Sequence, residues 1–170
     1  LDGLTTLSPT AAESLAQGAE GSSLSLSGVT SLSAESASAL GAHRGFQLSL
    51  NGLKSLPDES AEALALHQGR CLELDGLNSL SETCALAFSR HKGNLCLGGL
   101  TSVSEKVAVL LGRHDGSLFL DGLNSMNAAC ARALARHKVK TLSLDGLTSL
   151  SDDVALALAR HEGSGLSLNG

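Results

Sequence analysis

The chain has 170 residues, a net charge of −5 at pH 7, and three aromatic residues, all of them Phe. The negative charge argues against nucleic acid as a partner, because domains that bind phosphate backbones are usually basic. So few aromatic side chains exclude base-stacking platforms and aromatic cages for cations. No apolar run approaches the roughly 18 residues that a membrane-spanning helix needs, so we expect no membrane span.

A fixed period organises the whole chain. Six histidines are spaced by 24, 24, 23, 23 and 24 residues, and glycines and Leu-x-Leu pairs recur with the same period. Such a period is typical of a solenoid, in which stacked repeats bury their apolar faces against their neighbours. The histidines are His43, His67, His91, His114, His137 and His161. We divide the single domain, 1–170, into repeats at about 1–23, 24–47, 48–71, 72–94, 95–117, 118–141 and 142–165, with a partial repeat at 166–170.

The first repeat departs from the pattern, since it has no histidine and places Pro9 near the start of its helix. Terminal repeats often differ in this way because one of their faces is unpaired. Neither end carries a polar cap, so exposed ends could support end-to-end self-association. The chain begins and ends at the same position of the repeat, with Gly3 and Gly170, and we therefore expect a segment of a longer protein.

The last complete repeat shows the strand and turn that the period predicts. Leu142 and Leu144 alternate with Ser143, the pattern of a short strand with one face exposed to water. At Asp145-Gly146 we expect a turn. There, glycine would supply unusual backbone angles, and the Asp side chain would bond nearby backbone N–H groups.

A helix of about ten residues is predicted next, from the N-cap Ser151 to His161, and it stops near Gly163. Leu156 and Arg160 point outward from this helix. A rotation of about 100° per residue places four residues on one buried face. These are Val154, Ala155, Leu158 and His161.

Stacking these units predicts an α/β fold, a right-handed solenoid of about seven strand–turn–helix repeats. We expect each repeat to contain about 23–25 residues. The parallel sheet would form the concave face and the helices the convex face, because helices are wider than the strand spacing of about 4.8 Å.

The repeat Leu-x-Leu-x-Gly-Leu-x-x-Leu-Ser-x-x-x-Ala-x-x-Leu-x-x-His resembles bacterial leucine-rich repeats. It is similar in length to the Treponema/BspA-like class and closer to the tandem arrays of planctomycete-type proteins. It differs from the common leucine-rich pattern because Leu147 and its equivalents stand where a ladder asparagine is usual. The resemblance implies a horseshoe-like interaction scaffold without catalytic activity, and it carries over no partner.

The aligned histidines could bind metal, sense pH or be structural. Zinc needs ligands about 2.0–2.1 Å from one ion, whereas equivalent atoms on neighbouring helices should be roughly 8–10 Å apart. We therefore expect no metal at these histidines or elsewhere. The favoured interpretation is structural, with each imidazole at least half buried and bonded to backbone carbonyls. A pH-responsive role stays open.

The four cysteines do not form a disulfide pattern. Cys71 and Cys96 lie in adjacent repeats but are offset by two residues, which separates their Cα atoms by roughly 8 Å. That distance exceeds the roughly 7 Å limit for a disulfide. Cys84 and Cys130 share a helix position two repeats apart. Free thiols favour a reducing, cytoplasmic compartment, although the sequence does not determine localisation.

Two columns of polar side chains, each formed by equivalent positions of successive repeats, have both a functional and a structural interpretation. An Asp/Asn column before the glycines could bind calcium, but the known calcium-loop spacings are absent and turn formation is favoured. It contains Asp2, Asn51, Asp75, Asp121, Asp145 and Asn169. An arginine column could hold a polyanion or simply complement the helix dipoles. It contains Arg90, Arg113, Arg136 and Arg160.

The sheet face outside the helices varies most between repeats, and we predict that it binds another protein. Phe119 is a candidate anchor, since an exposed aromatic often anchors an interface. The candidate binding residues are Glu73, Cys96, Phe119, Asp121 and Ser143.

No nucleophile and base come together, because Ser and His lie about 15 Å apart at opposite helix ends. We therefore expect a non-catalytic scaffold without a cofactor. The alternatives are a structural spacer in a larger bacterial protein and a histidine-dependent pH or metal module.

Overall fold

The structure is a computed structural model that describes residues 3–18, 21–138 and 140–170. Within these residues, seven helices alternate with seven short strands. No helix in these ranges is long and apolar enough to cross a membrane. The elements are α1 Pro9–Gly18, β1 Ser23–Ser25, α2 Ala34–Gly41, β2 Gln47–Ser49, α3 Asp58–Leu64, β3 Cys71–Glu73, α4 Glu82–Phe88, β4 Asn94–Cys96, α5 Glu105–Leu111, β5 Leu118–Phe119, α6 Ala128–Leu134, β6 Thr141–Ser143, α7 Asp152–Leu158 and β7 Gly165–Ser167.

The strands form one parallel sheet in which the spatial order follows the chain, from β1 to β7. Every strand pairs with the next one in register, so that Leu48 lies beside Leu72 and Leu72 beside Leu95. These leucines are fully buried, because alternate strand side chains face the helices. The predicted α/β class, with strands and helices alternating along a parallel sheet, is confirmed.

Helix α7 begins as the sequence predicts but ends earlier. Ser151 caps α7, and its side chain accepts a hydrogen bond from the Val154 amide at 3.4 Å. The helix ends at Leu158, about one turn before the predicted end. His161 lies beyond it, and its amide donates to the Leu158 carbonyl at 2.9 Å in a tightened last turn. The prediction that the histidines end the helices is therefore wrong.

One helix position is alanine in each of α2 to α7, and this alanine column packs between neighbouring helices. It consists of Ala37, Ala61, Ala85, Ala108, Ala131 and Ala155. Ala131 in α6 is fully buried, whereas the equivalent Ala155 in α7 is exposed. Helix α6 has a helix on each side, α5 and α7, whereas among the described helices α7 has a helix neighbour, α6, on one side only. The predicted burial of Ala155 is therefore wrong, while Val154 and Leu158 are buried as expected.

The turn glycines are required for close packing rather than for unusual backbone angles. Among the described glycines, only Gly21 has a positive φ angle, of 75°. At Gly76, an added Cβ would lie 2.1 Å from the carbonyl oxygen of Asn51 in the preceding repeat. The prediction of unusual backbone angles at these turns is therefore wrong, and the absence of a side chain lets successive turns touch.

Candidate functional site

One face of the sheet is turned away from the helices, and we call it the outer sheet face. It consists of three columns of side chains, because every second residue along a strand points to the same side. The first column is Ser23, Gln47, Cys71, Asn94, Ser117, Thr141 and Gly165; the central column is Ser25, Ser49, Glu73, Cys96, Phe119, Ser143 and Ser167; the third column is Ser27, Asn51, Asp75, Gly98, Asp121, Asp145 and Asn169.

The Asp/Asn column forms a ladder of hydrogen bonds between repeats. Oδ1 of Asn51 accepts from the amide of Asp75 at 2.9 Å, and Oδ1 of Asp75 accepts from the amide of Gly98 at 2.7 Å. The same contact joins Asp121 to Asp145 at 3.1 Å. The expected bonding within one turn is therefore wrong, since each side chain reaches the next repeat along the sheet. Asp2, which also belongs to this column, lies outside the described residues.

Asp145 continues the ladder to the last strand. Its Oδ1 accepts from the amide of Asn169 at 2.8 Å and from the hydroxyl of Ser167 at 2.6 Å. The pKa of Asp145 lies below its usual value, chiefly because the Asn169 amide bonds the carboxylate, with the Ser167 hydroxyl adding to the effect. The ladder therefore uses the carboxylates to bond backbone amides.

We expect Asp121→Ala to destabilise the fold by about 1–3 kcal/mol, because it leaves the buried hydroxyl of Ser143 without its acceptor. Asp121→Asn should retain most of the stability, since Asn51 makes the same backbone contact in its own repeat. Denaturant melts of the two variants test this expectation. Equal losses for both, or a wild-type melt that a calcium chelator shifts, would contradict the ladder interpretation.

Four of the five candidate binding residues are at least partly accessible on the outer sheet face. Glu73 and Cys96 are half-buried, and Asp121 is exposed. Phe119 lies beside Cys96 as predicted, but it is half-buried rather than fully exposed. Ser143 is 3% exposed and donates to Asp121 Oδ1 at 2.5 Å, and its contact with a partner stays a prediction.

Two thiols and a carboxylate meet on the outer sheet face. The register places Cys71 level with Asn94 and Glu73 level with Cys96, as the two-residue offset predicts. The two sulfur atoms nevertheless lie only 3.8 Å apart, and one ligand atom from each of Cys71, Glu73 and Cys96 lies within 4.8 Å of the others. The sequence analysis missed this cluster. The two-residue offset separates the backbones of Cys71 and Cys96, but their side chains lean toward each other.

The charge environment of these two thiols is asymmetric. The contact between the sulfurs lowers the pKa of Cys71 and raises that of Cys96. Burial and the negative charges of Asp75 and Glu73 raise the pKa of Cys96 further. The Cys71 thiol therefore loses its proton more readily than the Cys96 thiol.

The other two cysteines are structural. Cys84 and Cys130 are 1% and 3% exposed near the starts of α4 and α6. The Cys84 thiol contacts the carbonyl of Leu56 at 3.7 Å, and the Cys130 thiol contacts that of Val103 at 3.5 Å. All four cysteines are free.

The histidines form a continuous stack of imidazole rings. Consecutive ring centroids are 5.4–6.4 Å apart, and the planes differ by 3–19°. The predicted spacing of 8–10 Å is therefore wrong. The rings lie beyond the helix ends, where the spacing between repeats narrows toward that of the strands, about 4.8 Å. His43, His67, His91, His114 and His137 are at most 2% exposed, and His161 is half-buried, so the expected burial is confirmed.

The ring nitrogens differ in their partners: Nδ1 of His43 lies 3.2 Å from Nε2 of His67, and Nε2 of His161 lies 3.2 Å from the Gly165 carbonyl. Nδ1 and Nε2 of His114 lie 3.1 and 3.0 Å from the carbonyls of Phe88 and Gly93, while Nε2 of His137 lies 2.7 Å from that of Gly116. Backbone contacts of this kind were predicted. By contrast, neither ring nitrogen of His91 has a hydrogen bond of good geometry within the described residues. Nearby backbone groups partly offset the lowering of the His91 pKa by burial.

Burial disfavours protonation of the stack. Burial, together with the neighbouring imidazoles, lowers the pKa of His67 and His114 to about 4. Burial also lowers the pKa of His91 and His137. These four imidazoles are therefore neutral at neutral pH.

Five of the six imidazoles also pack on the glycine two residues later, a feature that the sequence analysis missed. A Cβ at Gly45 would lie 2.3 Å from the His43 ring, and one at Gly93 would lie 2.8 Å from the His91 ring. The pattern His-x-Gly, present after five of the six histidines, was the available signal. Val139 replaces this glycine after His137 and lies outside the described residues.

The arginine column is exposed along its whole length, as predicted. The ion pairs found within the described residues use lysines instead: Lys92–Asp115, Lys106–Glu82 and Lys138–Glu162. A shallow groove of about 260 Å³ lies between α6 and α7, and it is lined by Arg132, Arg136, Lys138, Arg160 and Glu162, together with Ala135 and Ala157.

Comparison with known proteins leaves the family open. No protein-family model matches the chain, and no curated protein matches it as a relative. The leucine-rich-repeat resemblance stays a prediction that rests on the repeat pattern.

Proposed function

We propose that the chain is a right-handed solenoid of the leucine-rich-repeat type that binds another protein without catalysing a reaction. The strands pair in chain order and a helix joins each to the next, which supports a stack of equivalent units. Strand–helix–strand connections between parallel strands are right-handed almost without exception. Helices pack about 8–10 Å apart and strands about 4.8 Å apart, so the stack would curve with the outer sheet face on its concave side.

The observation that carries the proposal is the contrast between the two faces of the sheet. The helix-facing positions of the strands are the same in every repeat, namely Leu24, Leu48, Leu72, Leu95, Leu118, Leu142 and Leu166. The central column of the outer sheet face instead changes from serine to Glu73, Cys96 and Phe119 on three successive strands. No described helix covers these three side chains. Variation on an accessible face with an aromatic at its centre is typical of a protein-binding surface.

Affinity capture from an extract of the source organism tests this proposal. We expect the immobilised chain to retain a protein partner that Phe119→Ser loses, because an anchor side chain commonly contributes 2 kcal/mol or more, roughly a 30-fold change in affinity. Leu156→Ser is the matched control, since it removes an exposed apolar side chain, 61% accessible, from α7 on the opposite layer. The control should retain the partner.

The other outcomes distinguish the alternatives. Loss of the partner in Arg113→Glu but not in Phe119→Ser would assign binding to the arginine column. Capture of no protein by the wild-type chain would favour a structural spacer.

A further inference from the structure

We propose that Cys71, Cys96 and Glu73 bind a Zn²⁺ ion on the outer sheet face. The sulfurs are 3.8 Å apart, and one carboxylate oxygen of Glu73 completes a triangle whose corners lie within 4.8 Å of one another. In a tetrahedral zinc site, Zn–S bonds of about 2.3 Å place two thiolates about 3.8 Å apart. The thiols therefore already have the spacing that the ion requires. This inference replaces the sequence-based expectation that the chain binds no metal.

The backbone positions explain why a metal fits these thiols better than a disulfide. Cys71 and Cys96 are offset by two residues on neighbouring strands. That register separates their Cα atoms by roughly 8 Å, above the roughly 7 Å at which a disulfide can close without backbone movement. A metal ion between the sulfurs lengthens the bridge and removes this conflict.

The ligand atoms are free to turn toward an ion. The two thiols contact each other, and the hydrogen bond that Glu73 accepts among the described residues comes from the side-chain amide of Asn51, which lies 3.4 Å from Oε2. All three side chains are half-buried, so the ion can enter from solvent. A water molecule would fill the fourth position, as in zinc sites with three protein ligands.

The surrounding charge favours a cation. Asp75 acts on both thiols, and in the metal-free protein its charge and that of Glu73 make loss of the thiol protons harder. Binding exchanges two thiol protons for one Zn²⁺ ion, so a site that contains two thiolates and one carboxylate has a net charge of −1. Affinity should therefore fall as the pH falls, with two protons released per ion bound.

The rest of the described chain offers no equivalent site. No histidine group brings three ligand atoms this close among the described residues. Cys84 and Cys130 are buried against backbone carbonyls in separate helices, so they provide matched controls for a thiol that is present but not ligating.

Anaerobic titration of the reduced 170-residue chain with Co²⁺ tests the site. We expect saturation at one equivalent, with a thiolate-to-cobalt charge-transfer absorption that Zn²⁺ removes by displacement. Cys84→Ala/Cys130→Ala should keep this signal, and Cys71→Ser/Cys96→Ser should lose it. Glu73→Gln should weaken binding about tenfold or more, because the remaining amide is a poorer ligand.

Alkylation of the wild-type chain gives a second readout that needs no variant. With excess Zn²⁺, modification of Cys71 and Cys96 by iodoacetamide should slow at least tenfold, while that of Cys84 and Cys130 stays unchanged. The proposal is overturned if Co²⁺ gives no charge-transfer absorption, if the absorption survives in Cys71→Ser/Cys96→Ser, or if Zn²⁺ protects none of the cysteines. Because these measurements involve no partner protein, their failure would leave the proposed protein-binding function intact.

Discussion

Acidification from about pH 6.5 to pH 4 should destabilise this protein, with the loss beginning above the range in which its carboxylates titrate. Burial lowers the pKa of His67 and His114 to about 4, whereas the same side chains titrate near 6.5 when unfolded. Between these values, the unfolded chain binds protons that the folded chain does not. The contribution of these two histidines to the free energy of unfolding is therefore complete above about pH 6.5. It is lost progressively as the pH falls toward 4.

The expected size of this effect is on the order of 1–2 kcal/mol at pH 5 for each of these two histidines. His91 and His137 add to it, because burial also lowers their pKa. Asp115 opposes it, since its charge favours the cation of His137. The carboxylates with lowered pKa, such as Asp58 and Asp145, lose their contribution only at lower pH.

Denaturant midpoints at pH 7.5, 6.5, 5.5 and 4.5 measure this dependence. The wild-type midpoint should change little between pH 7.5 and pH 6.5 and should fall from pH 6.5 to pH 4.5. His114→Gln, which keeps a polar side chain but cannot titrate, should be less stable at pH 7.5 and should lose less on acidification. A midpoint that is flat or rising between pH 7 and pH 5.5 would show that the stack tolerates protonation, and a pH-responsive role would then be rejected.

Gly76→Ala should destabilise the fold by about 3 kcal/mol or more, because the new methyl group overlaps backbone that cannot move aside. The added Cβ would lie 2.1 Å from the carbonyl oxygen of Asn51 and 2.5 Å from that of Leu53. For a domain of this size, the expected fall in melting temperature is about 6 °C or more.

Gly3→Ala is the matched control for this substitution. Gly3 occupies the same position of the first repeat, but nothing lies within 4 Å of a Cβ built there. We expect its melting temperature to stay within error of the wild type. If Gly76→Ala and Gly3→Ala melt alike, close contact between successive turns does not explain the glycine column.

The sequence predicts this fold well because one pattern is repeated. The leucine pairs and the serine N-caps recur together, so the alternation of strands and helices and the burial of the histidines follow from local rules. The helix ends could not be predicted in the same way. His161 lies on the helical stripe in the sequence, but a tightened turn after Leu158 removes it from the helix.

Features that depend on contacts between repeats were harder to predict. Pairing of Asp121 with the next repeat rather than its own turn depends on how closely the turns stack. The meeting of Cys71 and Cys96 depends on side-chain directions, which the strand register alone does not specify. Ser143 appeared accessible from its strand position, yet its bond to Asp121 and the neighbouring side chains bury it.

Hydroxyl-radical footprinting of the chain with and without its captured partner tests the outer sheet face most directly. The method reports the accessibility of individual side chains, and the face carries reactive ones at Cys71, Cys96 and Phe119. Binding should reduce the oxidation of these three and leave Leu66 and Leu156, which are 72% and 61% exposed, unchanged. Protection of Leu66 or Leu156 with undiminished oxidation of Phe119 would contradict the assignment of protein binding to this face.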